Sequence, residues 1–229
     1  MRVLKTYIEG FDSEMEGGIP QGHVVLISGP PGTMKSSLAY SILYNNARFE
    51  NVKCLYVCFE QSKKSLNFQM SKLAMADKEV EKNINILDLS KIRKAVTEDE
   101  QKPWLDAMKK MLVDLKVEKP FELMVMDSLP ALEILSNFRS KRSNLFHLFE
   151  WLRDQDITAL LITEIPGETA VLYDEEFLAD GIIHLLMEKE GKVDVYRRMR
   201  CVKMRGVKHQ TGYFTLEYRN GRFHVTQVI

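Results

Sequence analysis

An excess of charge of either sign is missing from this chain. Lysine plus arginine and aspartate plus glutamate each number 32, so the formal net charge is zero. No bulk positive field therefore draws the molecule to nucleic acid or to an anionic membrane. Long hydrophobic runs are missing as well. None approaches the roughly 18 apolar residues of a spanning helix, and Met1 to Gly10 contains no apolar signal-peptide core. These absences predict a cytoplasmic protein without membrane contact. Cysteine is scarce, with three in 229 residues. Cys54 and Cys58 lie four apart and Cys201 is remote; without two-residue cysteine spacing or a nearby histidine pair, the pattern argues against zinc. It predicts buried free thiols. Linker-like, repeated and low-complexity stretches are absent, so residues 1–229 are expected to form a single domain. Its parts are a lead-in segment over 1–22, a core over 23–179 and C-terminal β-hairpins over 180–229.

What is present begins at Val24. A β-branched apolar run, Val24 to Ile27, breaks into Ser28-Gly29-Pro30-Pro31-Gly32-Thr33-Met34, and Lys35-Ser36-Ser37 then opens a helical pattern. Strand, glycine-rich loop and helix in that order are the layout of a phosphate-binding P-loop. Backbone N–H groups from Gly32 through Ser36 and the positive end of the helix dipole can converge on an anion. Pro30 and Pro31 have no N–H and stiffen the start of the loop. Lys35 is expected to reach the β- and γ-phosphates and Ser36 to hold Mg²⁺. The phosphate-binding set is thus Gly29, Pro30, Pro31, Gly32, Thr33, Met34, Lys35, Ser36 and Ser37. Met34 departs from the pattern, which has glycine before the lysine, and its Cβ must sit where the backbone passes close to phosphate. The plain alternative is a Gly/Pro turn ahead of an ordinary helix.

Downstream, apolar strands alternate with helical patterns, which implies a parallel sheet whose ligands collect at the C-terminal strand ends. Cys54 to Phe59 ends at Glu60-Gln61. Phe121 to Met126 ends at Asp127-Ser128, where a carboxylate can order a Mg²⁺ shell. Ile157 to Thr163 ends at Thr163-Glu164. The P-loop, Glu60, Asp127 and Thr163 are therefore expected along one edge. Helices are predicted over 37–47, 63–75, within 91–118 and over 144–154; Trp104, at helical intervals with Met108 and Met111, is read as a packing anchor. Beyond Asp180 four strands follow, with Gly191 and Asn220-Gly221 as hairpin turns. A basic turn, Lys203-Met204-Arg205-Gly206-Val207-Lys208-His209, lies between two of them. Taken alone it is an edge-strand charge cluster.

Together these residues resemble the KaiC-like branch of the RecA superfamily of ATPases. The resemblance runs through Gly17-Gly18-Ile19-Pro20, Gly29 to Ser36, Val57 to Glu60, Asp127-Ser128, Ala179-Asp180-Gly181 and Lys203-Met204-Arg205-Gly206 with His209. It implies a RecA-like α/β fold with a mostly parallel sheet flanked by helices, and ATP and Mg²⁺ as cofactors. It implies that Glu60 polarises the attacking water, and that Ser36 and Asp127 serve the metal. It also implies that Lys203 and Arg205 reach the γ-phosphate held by the neighbouring copy, with His209 on the same nucleotide. Sites between copies imply a homo-oligomeric ring of six; a regulatory switch with a protein partner is expected, and the departures at Met34 and Gln61 point to slow turnover. Gln61 stands where relatives carry a second glutamate; it can orient water but cannot take a proton. Two other readings stay open: a nucleotide-binding scaffold without turnover, and a DNA-dependent recombinase or helicase. The latter needs mobile loops over 129–143 and 165–178. The first holds Arg139, Lys141 and Arg142, but the second has four carboxylates and no lysine or arginine, a poor lining for a phosphate channel.

Overall fold

The computed structural model describes residues 2–90, 104–136, 138, 140–164 and 177–228. Strands β1 (Val3–Leu4) and β2 (Ile19–Pro20) pair in a small antiparallel ribbon. Strands β3 (Val24–Gly29), β4 (Cys54–Cys58), β5 (Ile84–Asp88), β6 (Leu123–Asp127), β7 (Thr158–Glu164) and β8 (Gly181–Glu190) form a parallel block. Strands β9 (Asp194–Met204), β10 (Phe214–Arg219) and β11 (Arg222–Gln227) add antiparallel neighbours. The sheet order is β11-β10-β9-β8-β3-β7-β6-β4-β5. The helices are α1 (Lys35–Phe49), α2 (Lys63–Lys72), α3 (Lys78–Glu81), α4 (Trp104–Glu118), α5 (Leu129–Ser136) and α6 (Lys141–Asp154). None of the described helices is long and apolar enough to cross a membrane.

Central parallel strands must be covered on both faces, which is why they read as continuous apolar runs instead of alternating ones. Their side chains divide strictly by parity. Val25, Ile27, Tyr56, Val125 and Ile162 pack with Leu38, Phe11 and Met15 on the α1 face. Leu26, Leu55, Val57, Met124 and Leu161 pack with Leu112, Leu148 and Phe149 on the other. Trp104 lies beside Phe59, Leu89, Met108 and Leu132, the packing role expected of it. All three cysteines are buried and free, and burial pushes the Cys58 and Cys201 thiols up to about 12, so neither is a thiolate at neutral pH.

Two local features set the frame for the site. Gly29 ends β3 with φ of +145°, and a Cβ there would stand 2.2 Å from the Leu185 carbonyl oxygen of β8. The close approach of β8 to the start of the loop therefore depends on a residue without a side chain. At the far edge of the sheet, Glu9 pairs with β11: its N–H bonds to Phe223 O at 2.9 Å and its C=O accepts from Val225 N at 2.8 Å. The lead-in segment thus covers an edge that would otherwise offer unpaired backbone. The Asn220-Gly221 turn has φ of +52° and +78°, as a tight hairpin of this type requires.

The mobile loop over 129–143 that the recombinase or helicase reading needs is largely helix instead. Leu129 to Ser136 forms α5, and α6 begins at Lys141. Leu129, Ala131, Leu132 and Leu135 are buried, so burial of this apolar face wins over loop formation. Lys141 pairs with Glu133 at 3.2 Å. Arg139, and residues 91–103 and 165–176 of the other expectations, lie outside the described residues.

Candidate functional site

Helix α1 begins at Lys35, two residues before the apolar pattern suggests, because its first turn is the phosphate loop itself. Met34 takes the position before the helix with φ of 71°, in the left-handed region. That conformation is where glycine normally serves, and for an L-residue with a side chain it costs about 1–2 kcal/mol. The Met34 side chain is half-buried against the α1-face core, which offsets part of that cost. Met34→Gly should relieve strain and lose packing together, leaving stability within about 1 kcal/mol, whereas Met34→Ala keeps the strain and loses the packing. Denaturant unfolding should therefore rank the alanine variant lowest, by about 1–2 kcal/mol.

Lys35 is buried, and its ammonium donates to the carbonyls of Gly29 at 2.8 Å and Pro30 at 3.0 Å. Burial pulls its pKa below the usual lysine value, while the carboxylates of Glu164, Asp127 and Glu60 act in the opposite direction. Thr33 is turned into the loop, its hydroxyl donating to Pro30 O at 2.8 Å. Arg197 of β9 reaches over the loop, its Nε donating to Gly32 O at 3.4 Å.

Around the loop lies an open cleft of about 360 Å³, lined by Pro31, Gly32, Met34, Lys35, Ser36, Ser37, Glu60, Gln69, Asp127, Ser128, Ile162 and Glu164. Parallel register is the cause of this meeting. Cys58 is level with Asp127 across β4 and β6, and Gly29 is level with Glu164 across β3 and β7. Each polar residue lies at the end of a core strand or within two residues beyond it. Thr163 is corrected here: it is 1% exposed and turned inward, and its neighbour Glu164 lines the cleft instead.

Asp127 is nearly buried, and its Oδ2 accepts the Tyr56 hydroxyl at 2.6 Å. Burial raises its carboxyl pKa, and hydrogen bonds from Tyr56 and Ser36 work against that rise. Ser36 and Asp127 thus place two hard oxygen donors side by side. Mg²⁺ takes few protein oxygens and fills its shell with phosphate and water, so this pair fits it. No group of three or more His, Cys, Asp or Glu side chains among the described residues could cage a metal elsewhere. Glu60 accepts a hydrogen bond from the Ser128 hydroxyl, which fixes the carboxylate at the cleft wall. Gln61 accepts from Ser65 Oγ at 3.4 Å.

The basic turn lies elsewhere. Lys203 is level with Ile182 and Met204 with Gly181; Gly181 in turn is level with Val25 at the beginning of β3. Four residues at about 3.3 Å each separate that level from Gly29, about 13 Å along the sheet and on the edge opposite the loop. Lys203 Nζ donates to Ala179 O at 2.6 Å. Arg205 donates to Asp180 Oδ1 at 2.9 Å. Burial opposes the Asp180 charge, but bonds from Arg153, the Val24 N–H and Arg205 outweigh it and hold the carboxyl below its usual range. His209 donates through Nδ1 to Val207 O at 3.1 Å. The structure therefore gathers Lys35, Ser36, Glu60 and Asp127, and places Lys203, Arg205 and His209 apart from them in the same chain.

Sequence reading missed Tyr56, Gln69, Ser128, Glu164 and Arg197. Glu164 and Ser128 were legible as polar residues following apolar strands. Tyr56 and Arg197 carry no such signal, since strand tyrosines and arginines usually serve packing and solvent.

A phosphate loop, two carboxylates at adjacent strand ends and a sheet of this order are now joined by likeness to known proteins. The family described as "ATPase: KaiC" matches residues 4–227. The circadian clock oscillator protein KaiC of Thermostichus vulcanus is 29% identical over 238 residues, covering 96% of this chain and 43% of that protein. A UPF0273 protein of Aeropyrum pernix is 29% identical over 225 residues, covering 90% of this chain and 86% of that one. The chain thus spans under half the length of the clock proteins it matches. Among solved structures, a KaiC-like protein from Pyrococcus horikoshii OT3 superposes with a TM-score of 0.81 at 26% identity, covering 98% of this chain and 99% of that one. With matches that run almost end to end and a P-loop cleft built from the expected residues, the chain belongs to the KaiC family of ATPases.

Proposed function

We propose that this chain binds Mg-ATP in the cleft around Lys35 and hydrolyses it slowly, as one subunit of a ring whose nucleotide state acts as a switch. The observation that carries this reading is the meeting of Lys35, Ser36, Asp127 and Glu60 around one cleft. Lys35 and the first-turn N–H groups of α1 bind and orient the phosphates. Ser36 and Asp127 hold Mg²⁺, which when bound neutralises charge on the phosphates. Glu60, fixed by Ser128, takes the proton of the attacking water. Gln61 beside it leaves a single proton acceptor at this strand end, in keeping with slow turnover.

The ring is supported by the separation of the basic turn from the loop of its own chain. Lys203 and Arg205 can serve a γ-phosphate only if it belongs to another copy. The test is hydrodynamic mass with and without Mg-ATP, on a chain of 26.5 kDa. A several-fold larger particle in Mg-ATP is expected. A monomer under both conditions overturns the ring and leaves the basic turn nothing to act on.

A further inference from the structure

Strand β4 carries Cys54, Tyr56 and Cys58 toward α1. Tyr56 is 0% exposed, and its ring rests against Tyr40 of α1 with centroids 5.7 Å apart and planes at 53°. Phenylalanine fills such a place at no polar cost; a buried phenol must find a partner for its O–H. The partner here is Asp127, whose Oδ2 accepts that hydrogen at 2.6 Å. Ser36 lines the same cleft as Asp127, and its single hydroxyl hydrogen can serve the Asp127 carboxylate or the Tyr56 oxygen, one at a time. Side chains from α1, β4 and β6 therefore meet in one polar cluster at the P-loop. Two of them are the oxygen donors assigned to Mg²⁺, and the third cannot reach solvent.

We propose that Tyr56 is a positioning residue for the divalent cation, its hydroxyl locking the Asp127 carboxylate in one orientation and leaving the remaining lone pairs to Ser36 and the metal. A charge-assisted O–H···O⁻ bond of this length is of the strong class. Its donor is held on a rigid central strand with the ring packed on one side, so the carboxylate need not be ordered when the cation arrives. A carboxylate free to rotate in a nearly buried site must instead be fixed at that moment, and cation affinity falls accordingly. Partners that orient metal ligands typically contribute about 10–100-fold in metal affinity. The inference rests on the Mg-nucleotide reading above and deepens it.

The test is binding of a fluorescent ATP analogue to the full chain, followed without turnover while Mg²⁺ is titrated from zero. In Tyr56→Phe the Mg²⁺ midpoint should rise by about 10–100-fold, with metal-free nucleotide binding unchanged. In Asp127→Ala the further substitution Tyr56→Phe should no longer move the midpoint, because the oxygen that accepts the Tyr56 hydrogen is gone. A wild-type midpoint in Tyr56→Phe overturns the positioning role, as does a shift that persists in the Asp127→Ala background. Absence of Mg²⁺-dependent binding in the wild type is a separate outcome and overturns the underlying site instead. If Tyr56→Phe does not fold, the pairing is read from stability: the double variant removes donor and charge together and should recover folding. Failure of that recovery counts against the pair.

Discussion

In Lys203→Ala, ATP hydrolysis is expected to fall by about three to five orders of magnitude, the loss that follows removal of a trans-acting cation in NTPases, while nucleotide binding by the same chain stays at its wild-type level. The split arises from geometry. Lys203 is level with Ile182 on β8, on the sheet edge away from Lys35, so it contributes nothing to the cleft of its own subunit. A decisive form of the experiment mixes two inactive chains. Lys35→Ala subunits cannot hold nucleotide but retain the basic turn; Lys203→Ala subunits hold nucleotide and lack it. A mixed ring contains interfaces in which an intact loop faces an intact turn, and hydrolysis should return. Unchanged activity in the single variant, or no recovery on mixing when mixed rings form, removes Lys203 from catalysis. Arg205 is a less clean first choice. Its guanidinium binds Asp180, whose carboxylate also accepts the Val24 N–H and Arg153, so Arg205→Ala mixes lost catalysis with a loosened base of β3.

The fold and most of the cleft were legible because they rest on local signals. Buried parallel strands announce themselves as apolar runs, and each run here ends where a polar residue begins. That pattern placed Glu60 on the edge of the loop and, with the P-loop upstream, singled out Asp127; the role expected of Glu60 came from the family resemblance. Register then does what sequence cannot display: it sets Cys58 level with Asp127 and Gly29 level with Glu164. The choice of Glu164 over Thr163 is a matter of strand parity at the last residue, which a sequence run leaves open by one position. Tyr56 was invisible for a different reason. It sits mid-strand in an apolar run, where a tyrosine reads as core, and only the three-dimensional approach of β6 gives its hydroxyl a functional partner. The stretch 129–143 entered only as a mobile loop that the recombinase or helicase reading needs; burial of Leu132 and Leu135 makes its first part helix. Met34 was identified as the departure from the motif, and its left-handed φ supplies the physical reason why glycine is the usual residue there.

Glu60→Gln should reduce phosphate release by about two to four orders of magnitude, the range general bases contribute, with ATP still bound. The cleft offers two nearby carboxylates besides Asp127, and their surroundings separate their roles. Glu60, two residues beyond β4, is held by the Ser128 hydroxyl, while Glu164 exerts the largest carboxylate influence on Lys35. A carboxylate fixed by one donor keeps lone pairs available for a water proton; one that chiefly balances the lysine charge is occupied electrostatically. Glutamine at position 60 keeps size and hydrogen bonding to Ser128 but cannot accept a proton at neutral pH. Gln61 is already of that kind, so it cannot substitute. Single-turnover release from bound Mg-ATP isolates the chemical step from product loss. A rate within threefold of wild type would remove Glu60 from proton transfer. A wild-type rate no faster than that of Lys35→Ala would instead mark the chain as a nucleotide-holding scaffold. The two results are distinct, because only the first requires that the wild type turns over.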